Sequence, residues 1–246
     1  MGLFDKLFAK KNCDICGGEI GLLGNRKLED GNLCKACAAK LSPFFEDRRG
    51  STVEEIRQQL AYREANRAKV ADFTPTKVVE GDQYTLYFDE DKAQWLASDR
   101  SSWRESNPDV IDFAQVTGAE IEIDESKEEL TYENKDGEQV SYKPPRYRYT
   151  YDFSLVVHVN SPYFNRLSFA LNKDEVENRN SLAYRQELKR AEEAKAIFTG
   201  AKERQKQAEQ AAAEAAAPKK PVVCPGCGAT TVPGADGCCE YCGRPV

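Results

Sequence analysis

Apolar residues change their period twice along this chain, and the changes mark out its elements. Between Ser51 and Pro75 they recur at helical spacing, with Val53, Ile56, Leu60, Ala68 and Ala71 on one thin stripe. Ser51 and Glu54 have the spacing of a capping box, and Pro75 stops the helix. From about Lys77 to Asn172 the period falls to two. The runs YTLYF (84–88), QWLAS (94–98), DFAQVTGAEIEID (112–124), EQVSYK (138–143), RYTYDFSLVVHV (148–159) and LSFALN (167–172) predict strands. Asp136-Gly137 is a hairpin signal, while Pro144-Pro145 and Ser161-Pro162 predict breaks. Runs this close leave no room for crossover helices, so the sheet is expected to be antiparallel.

After Ser181 the helical period returns in LAYRQELKRAEEAKAIF, anchored by Leu182, Leu188, Ile197 and Phe198. Gly200 is expected to interrupt this helix. The following AKERQKQAEQAAAEAAA favours helix but has no apolar stripe, which predicts a solvated spacer ending at Pro218-Lys219-Lys220-Pro221. The pattern as a whole predicts an α+β chain in five parts. These are a cysteine module (1–50), a connecting helix (51–74), a β-rich domain with its closing helix (75–199), a helical spacer (200–221) and a second cysteine module (222–246).

The 246 residues are 40% hydrophobic and 10% aromatic, enough to build a core. The formal net charge of −6 gives no support to a chain-wide nucleic-acid footprint. No run approaches the roughly 20 apolar residues of a membrane span. The opening MGLFDKLFAKK lacks the apolar core and cleavage site of a secretory signal, so a cytoplasmic location is expected. In a reducing compartment nine cysteines point to metal or catalysis rather than to disulfides.

Their spacing points to metal. Cys13 and Cys16 form one C-x2-C pair, and Cys34 and Cys37 form another; each pair offers two thiolates to one tetrahedral ion. Gly17 suits the left-handed turn of a zinc knuckle. The second pair runs into good helix formers, so Cys34 and Cys37 are expected at a helix start, after a hairpin around Asp30-Gly31. Knuckle, hairpin and helix together describe a treble-clef module. Cys224 with Cys227 and Cys239 with Cys242 are both followed by glycine, the pattern of a zinc ribbon. Cys239 rather than Cys238 restores the C-x2-C spacing, leaving Cys238 as a solvent-exposed remainder. Two structural zinc ions are therefore expected, because four thiolates complete the coordination shell.

Catalytic patterns are missing: there is no nucleophile elbow, no phosphate-binding loop and no dinucleotide-binding glycine run. His158, the single histidine, falls on the outer side of its strand, opposite Phe153, Leu155 and Val157. Acidic neighbours such as Glu120/Glu122 and Asp89/Asp91 read as solvated faces. Lys143, Arg146 and Arg148, interleaved with Tyr142, Tyr147, Tyr149 and Tyr151, have the composition of a base-stacking strand. In an acid-rich region they read better as packed tyrosines with extended arginines. Leu3, Phe4, Leu7 and Phe8 share one face of a short helix that would pack on the zinc module or dip into a membrane interface.

The stretch CDICGGEIGLLGNRKLEDGNLCKACAAKLSPFF, the helix STVEEIRQQLAYREAN and the phrases SSWRESNPDVIDFAQVTG and HVNSPYF resemble a family of uncharacterised bacterial proteins. Its members carry this four-cysteine domain before a pleckstrin-homology-like region, and some end in a zinc ribbon of CPxCG type. The resemblance implies zinc ligation by Cys13, Cys16, Cys34 and Cys37 and implies no catalytic residue. The expected function is a non-enzymatic adaptor or scaffold whose partner is another protein. The alternative is nucleic-acid binding through the N-terminal finger, whose cysteine spacing resembles that of GATA-type fingers. The nine bases and seven acids of residues 1–50 are too balanced for a phosphate-led interface.

Overall fold

The computed structural model describes residues 11–21, 23–45, 48–216, 221–232 and 237–246. The expected helix with Leu3, Phe4, Leu7 and Phe8 lies outside them. Two compact units emerge, Met1–Lys202 and Glu203–Val246.

The first unit begins with four two-residue strands, β1 (Lys11–Asn12), β2 (Glu19–Ile20), β3 (Arg26–Lys27) and β4 (Asn32–Leu33). They pair as two antiparallel hairpins and lead into a single helical turn, α1 (Lys35–Ala38). Helix α2 (Val53–Asp72) follows. Its capping box is Thr52 with Glu55, one residue later than Ser51 and Glu54 suggested. A further donor at its start, Val53 N–H, is taken by Asp30 of the zinc-module hairpin at 2.7 Å. That approach leaves no room for a side chain at Gly31, where a Cβ would lie 2.5 Å from Val53 Cγ2.

The remainder of the unit is two antiparallel four-stranded sheets. One has the order β5 (Lys77–Glu80), β6 (Thr85–Asp89), β7 (Gln94–Ser98), β8 (Ile111–Asp112), with the short helix α3 (Trp103–Ser106) between the last two. The other is built on two long strands, β9 (Val116–Glu133) and β10 (Gln139–Val159), with β11 (Arg166–Ala170) and β12 (Val176–Glu177) on the far side of β10. The Asp136-Gly137 hairpin forms, with Gly137 at φ +82°.

Pro144-Pro145 does not end the strand as expected. Pairing with β9 pauses after Ser141 and resumes at Arg146, so the prolines are bulged out of a ladder to which they have no N–H to give. From Asp124 to Glu133 strand β9 is exposed on both faces.

The sheets share one aromatic core of Phe88, Trp95, Phe113, Phe153 and Phe169, closed by Phe198 of α4 (Leu182–Ala216). Phe198 stands edge-on to Trp95 at 4.9 Å between ring centroids. Helix α4 runs through Gly200 without a break. One glycine costs only about 1 kcal/mol relative to alanine, and the alanine-rich sequence around it offsets that. The second unit also contains strands β13 (Val222–Val223) and β14 (Thr230–Thr231).

The buried face of α2 differs from the apolar stripe. Ala68 and Ala71 are exposed, while Ile56, Gln59, Arg63, Asn66 and Val70 are buried. The Arg63 guanidinium lies 2.8 Å from the carboxylate of Asp109, with their side chains 8% and 0% exposed. Ser42 Oγ donates to the same carboxylate at 2.6 Å, and Arg63 Nε donates to the carbonyl of Lys40 at 3.3 Å. Asn66 donates to Asn107 Oδ1 and to the Pro108 carbonyl, and accepts from Val110 N–H. These bonds join three segments far apart in sequence: the end of the zinc module, the helix, and the loop before β8. Phe44 adds an apolar link by packing on Tyr84, Phe164 and Phe169.

Candidate metal centres

In the first module the knuckle is closed by backbone bonds from Cys13 N–H to Gly18 O at 2.8 Å and from Gly17 N–H to Cys13 O at 2.7 Å. Gly17 has φ +72°, a conformation costly for any residue with a Cβ. Cys34 is the N-cap of α1, its sulfur accepting from Cys37 N–H at 3.3 Å. This is the helix start the sequence indicated, because KACA favours helix while Cys34 keeps an extended backbone. Leu28, Leu33, Leu41 and Ile56 form the small core beside the sulfurs.

The four sulfur atoms of Cys13, Cys16, Cys34 and Cys37 all lie within 4.8 Å of one another. The Cys16 and Cys34 sulfurs are 3.8 Å apart. A tetrahedral zinc with bonds of about 2.3 Å holds its sulfur ligands about 3.8 Å from each other, so the cluster has the size of the ion.

The second module repeats the knuckle twice. Gly228 N–H donates to Cys224 O, and Gly243 N–H to Cys239 O, each at 2.8 Å, with both glycines at positive φ. Strands β13 and β14 flank the first knuckle. Cys224, Cys227, Cys239 and Cys242 form the second group within 4.8 Å. The Cys224–Cys242 and Cys227–Cys239 sulfur separations of 3.6 and 3.8 Å again match a tetrahedral ion. Cys238 stays outside the group, as its spacing indicated. It is half-buried rather than exposed, because its backbone bridges to Pro245.

The electrostatics of each group call for a cation. Burial pushes the Cys13 thiol up, but the N–H groups of Cys16, Cys34 and Ile15 outweigh it and bring it down to about 6. Cys37 is driven the other way, first by burial and then by the sulfurs of Cys34, Cys16 and Cys13. The ribbon shows the same division. Cys224 is buried yet held at about 7 by the amides of Cys227 and Gly226. For Cys242, the amide of Arg244 is outweighed by burial and by the neighbouring thiols, which push it up to about 12. Four thiolates cannot coexist at this spacing without compensation, and a divalent ion supplies it. The eight cysteines are therefore positioned to bind two zinc ions.

The other residues singled out in the sequence have structural neighbours. His158 Nε2 meets Glu120 Oε1 at 2.9 Å, and that hydrogen bond holds the Glu120 carboxyl below the usual carboxylate range. Arg148 pairs with Glu128 at 2.7 Å, Arg146 covers the ring of Tyr142, and Tyr151 is buried. Glu122 pairs with Arg166. Asp89 is not on a solvated face. It is buried and accepts from the N–H groups of Thr74 and Lys92.

Residues 11–59 match the family described as a domain of unknown function, DUF4428. The match spans the first metal centre and the first turns of α2. No curated protein and no solved structure matches the chain.

Proposed function

We propose that this chain is a non-enzymatic, zinc-stabilised adaptor of the bacterial cytoplasm that brings proteins together. The central region is read as pleckstrin-homology-like and residues 222–246 as a zinc ribbon. The observation that carries the reading is the donor set of the two metal centres. Four sulfur ligands fill a tetrahedral shell and leave no position for a substrate or a reactive water, so zinc there holds structure. His158, the single histidine, is engaged by Glu120 on the outside of a strand. The arginine–tyrosine cluster of β10 is spent on neighbouring carboxylates and rings rather than presented as a row of free cations.

The test is affinity capture of cross-linked partners from native bacterial lysate, using the zinc-loaded chain and a zinc-stripped control. The expected result is a defined protein partner recovered by the loaded chain alone. A salt-dependent shift of duplex DNA, or sedimentation with anionic liposomes, in place of protein capture would refute the adaptor reading.

A further inference from the structure

A cavity of about 700 Å³ opens along the outer edge of β5, between that strand, the turn at Lys173 and Asp174, and helix α4. Strand order leaves β5 at the end of its sheet. Two hydrogen bonds show which of its backbone groups face the cavity. Gly81 N–H donates to Tyr84 O at 2.8 Å, and at the start of the strand, where Thr76 as well as Lys77 lies opposite Phe88, the out-of-phase Thr76 N–H donates to Phe88 O at 2.7 Å. The alternate residues 84, 86 and 88 of this stretch therefore turn their backbones toward β5, and so do their partners 81, 79 and 77 toward β6. Val78 and Glu80 are left directing N–H and C=O to the open edge.

A ladder already begins on that edge. Asp82 N–H donates to Ala170 O at 2.8 Å, but β11 ends at Ala170, and no described residue carries the pairing on to Glu80 and Val78. The opposite wall is a ridge of α4 formed by Glu187, Arg190, Ala194 and Ile197, spaced by three and four residues. Ala194 and Ile197 are buried and Val79 is half-buried, so the floor is apolar. The rim carries both signs: Lys173 pairs with Glu80 at 3.5 Å and Arg190 with Glu187 at 3.3 Å, and Lys77, Asp174 and Glu193 add one positive and two negative charges.

We propose that this cleft receives an extended peptide segment of another protein, added to β5 as a further strand, with an apolar side chain directed at Val79, Ala194 and Ile197. The unfinished ladder selects the ligand class. Outward donors and acceptors at strand spacing are matched by another extended backbone and by little else. The rim charges, three positive and four negative, nearly balance and leave no demand for a strongly charged peptide. The proposal rests on the binding reading above and narrows its partner to a peptide segment and its place to β5.

The probe is a peptide enriched from a phage-displayed random dodecapeptide library panned on the zinc-loaded full chain, then synthesised with a fluorophore and titrated by anisotropy. Backbone N-methylation at alternate peptide residues should weaken binding about tenfold at one parity and leave the other within about twofold, the signature of a paired strand. Val78→Pro removes an outward N–H without breaking the β5–β6 ladder and should also cost about tenfold. Should that variant misfold by circular dichroism, the methylation scan on the unaltered protein decides alone.

Failure to enrich any peptide, a scan without parity, or a folded Val78→Pro chain with unchanged affinity would overturn the proposal. If the cleft fails while protein capture succeeds, the adaptor reading survives without it; if both fail, both are wrong.

Discussion

Removing the carboxylate of Asp109 should loosen the whole first unit, including its zinc. The side chain is 0% exposed and is shared by the Arg63 guanidinium at 2.8 Å and the Ser42 hydroxyl at 2.6 Å. Asp109→Ala leaves a guanidinium that is only 8% exposed without its counter-charge. Truncating one partner of a buried pair costs about 3–5 kcal/mol. At about 2–4 °C per kcal/mol for a unit of this size, the melting temperature should fall by about 6–20 °C. Replacing both partners by apolar residues, Arg63→Met with Asp109→Leu, should recover most of the loss, because no orphaned charge remains.

The assay is urea unfolding followed by tryptophan fluorescence, which reports Trp95 and Trp103 of the sheet region, and in parallel by chromophoric detection of released zinc. Cys227→Ser in the background removes the second metal centre, so the zinc signal reports the first alone. The two signals should shift together. A loss below about 1 kcal/mol, or a double variant no better than Asp109→Ala, would refute the account of this ion pair. Zinc release at an unshifted midpoint would refute the coupling of module to sheets.

Elemental analysis of reduced protein should find two zinc ions per chain. Cys16→Ser or Cys239→Ala should remove one of them, and Cys238→Ala none. Zinc retention should fall as pH falls, because protons and metal compete for the same sulfurs. Cys37 and Cys242, whose thiols are pushed up, surrender protons when metal binds, so affinity should rise with pH across the neutral range. Competition with a chromophoric chelator between pH 5.5 and 8, set as about those limits, measures the slope, and a flat profile would contradict thiolate ligation. Gln59 is fully buried, and neither amide atom has a hydrogen-bond partner among the described residues. Gln59→Met should therefore stabilise the protein by about 1 kcal/mol or more, and destabilisation in a urea melt would show that the amide has a partner.

Both metal centres were legible in the sequence because their determinants are local. A C-x2-C pair followed by glycine specifies a knuckle within six residues, and the helix at Cys34 follows from its own composition. The strand runs were legible for the same reason, since period two survives wherever one face is buried. What escaped was set by distant partners. The buried face of α2 is polar, so no hydrophobic stripe marks it. Arg63 and Asn66 look solvent-facing until Asp109, Asn107 and Pro108 arrive from the other side of β7. The bulge at Pro144-Pro145 escaped because its continuity is a property of β9, which holds the register across the gap. Asp89 escaped because its role is to cap the backbone at Thr74 and Lys92.

The polar face of α2 also bears on the order in which the chain is made. Asp109 lies 46 residues after Arg63. At synthesis rates of about 5–20 residues per second, the helix would wait about 2–9 s for the partner that buries it. Its four ligand cysteines and its N-terminal cap are complete before that interval begins, so the metal module can close while α2 is still uncovered. An apolar face would spend those seconds as a sticky surface in a crowded cell, whereas Gln59, Arg63 and Asn66 remain hydrated until the acidic loop emerges. Ribosome-stalled chains ending between residues 75 and 105, which lack Asp109, should accordingly bind zinc and stay soluble, and Arg63→Leu with Asn66→Leu should make them aggregate.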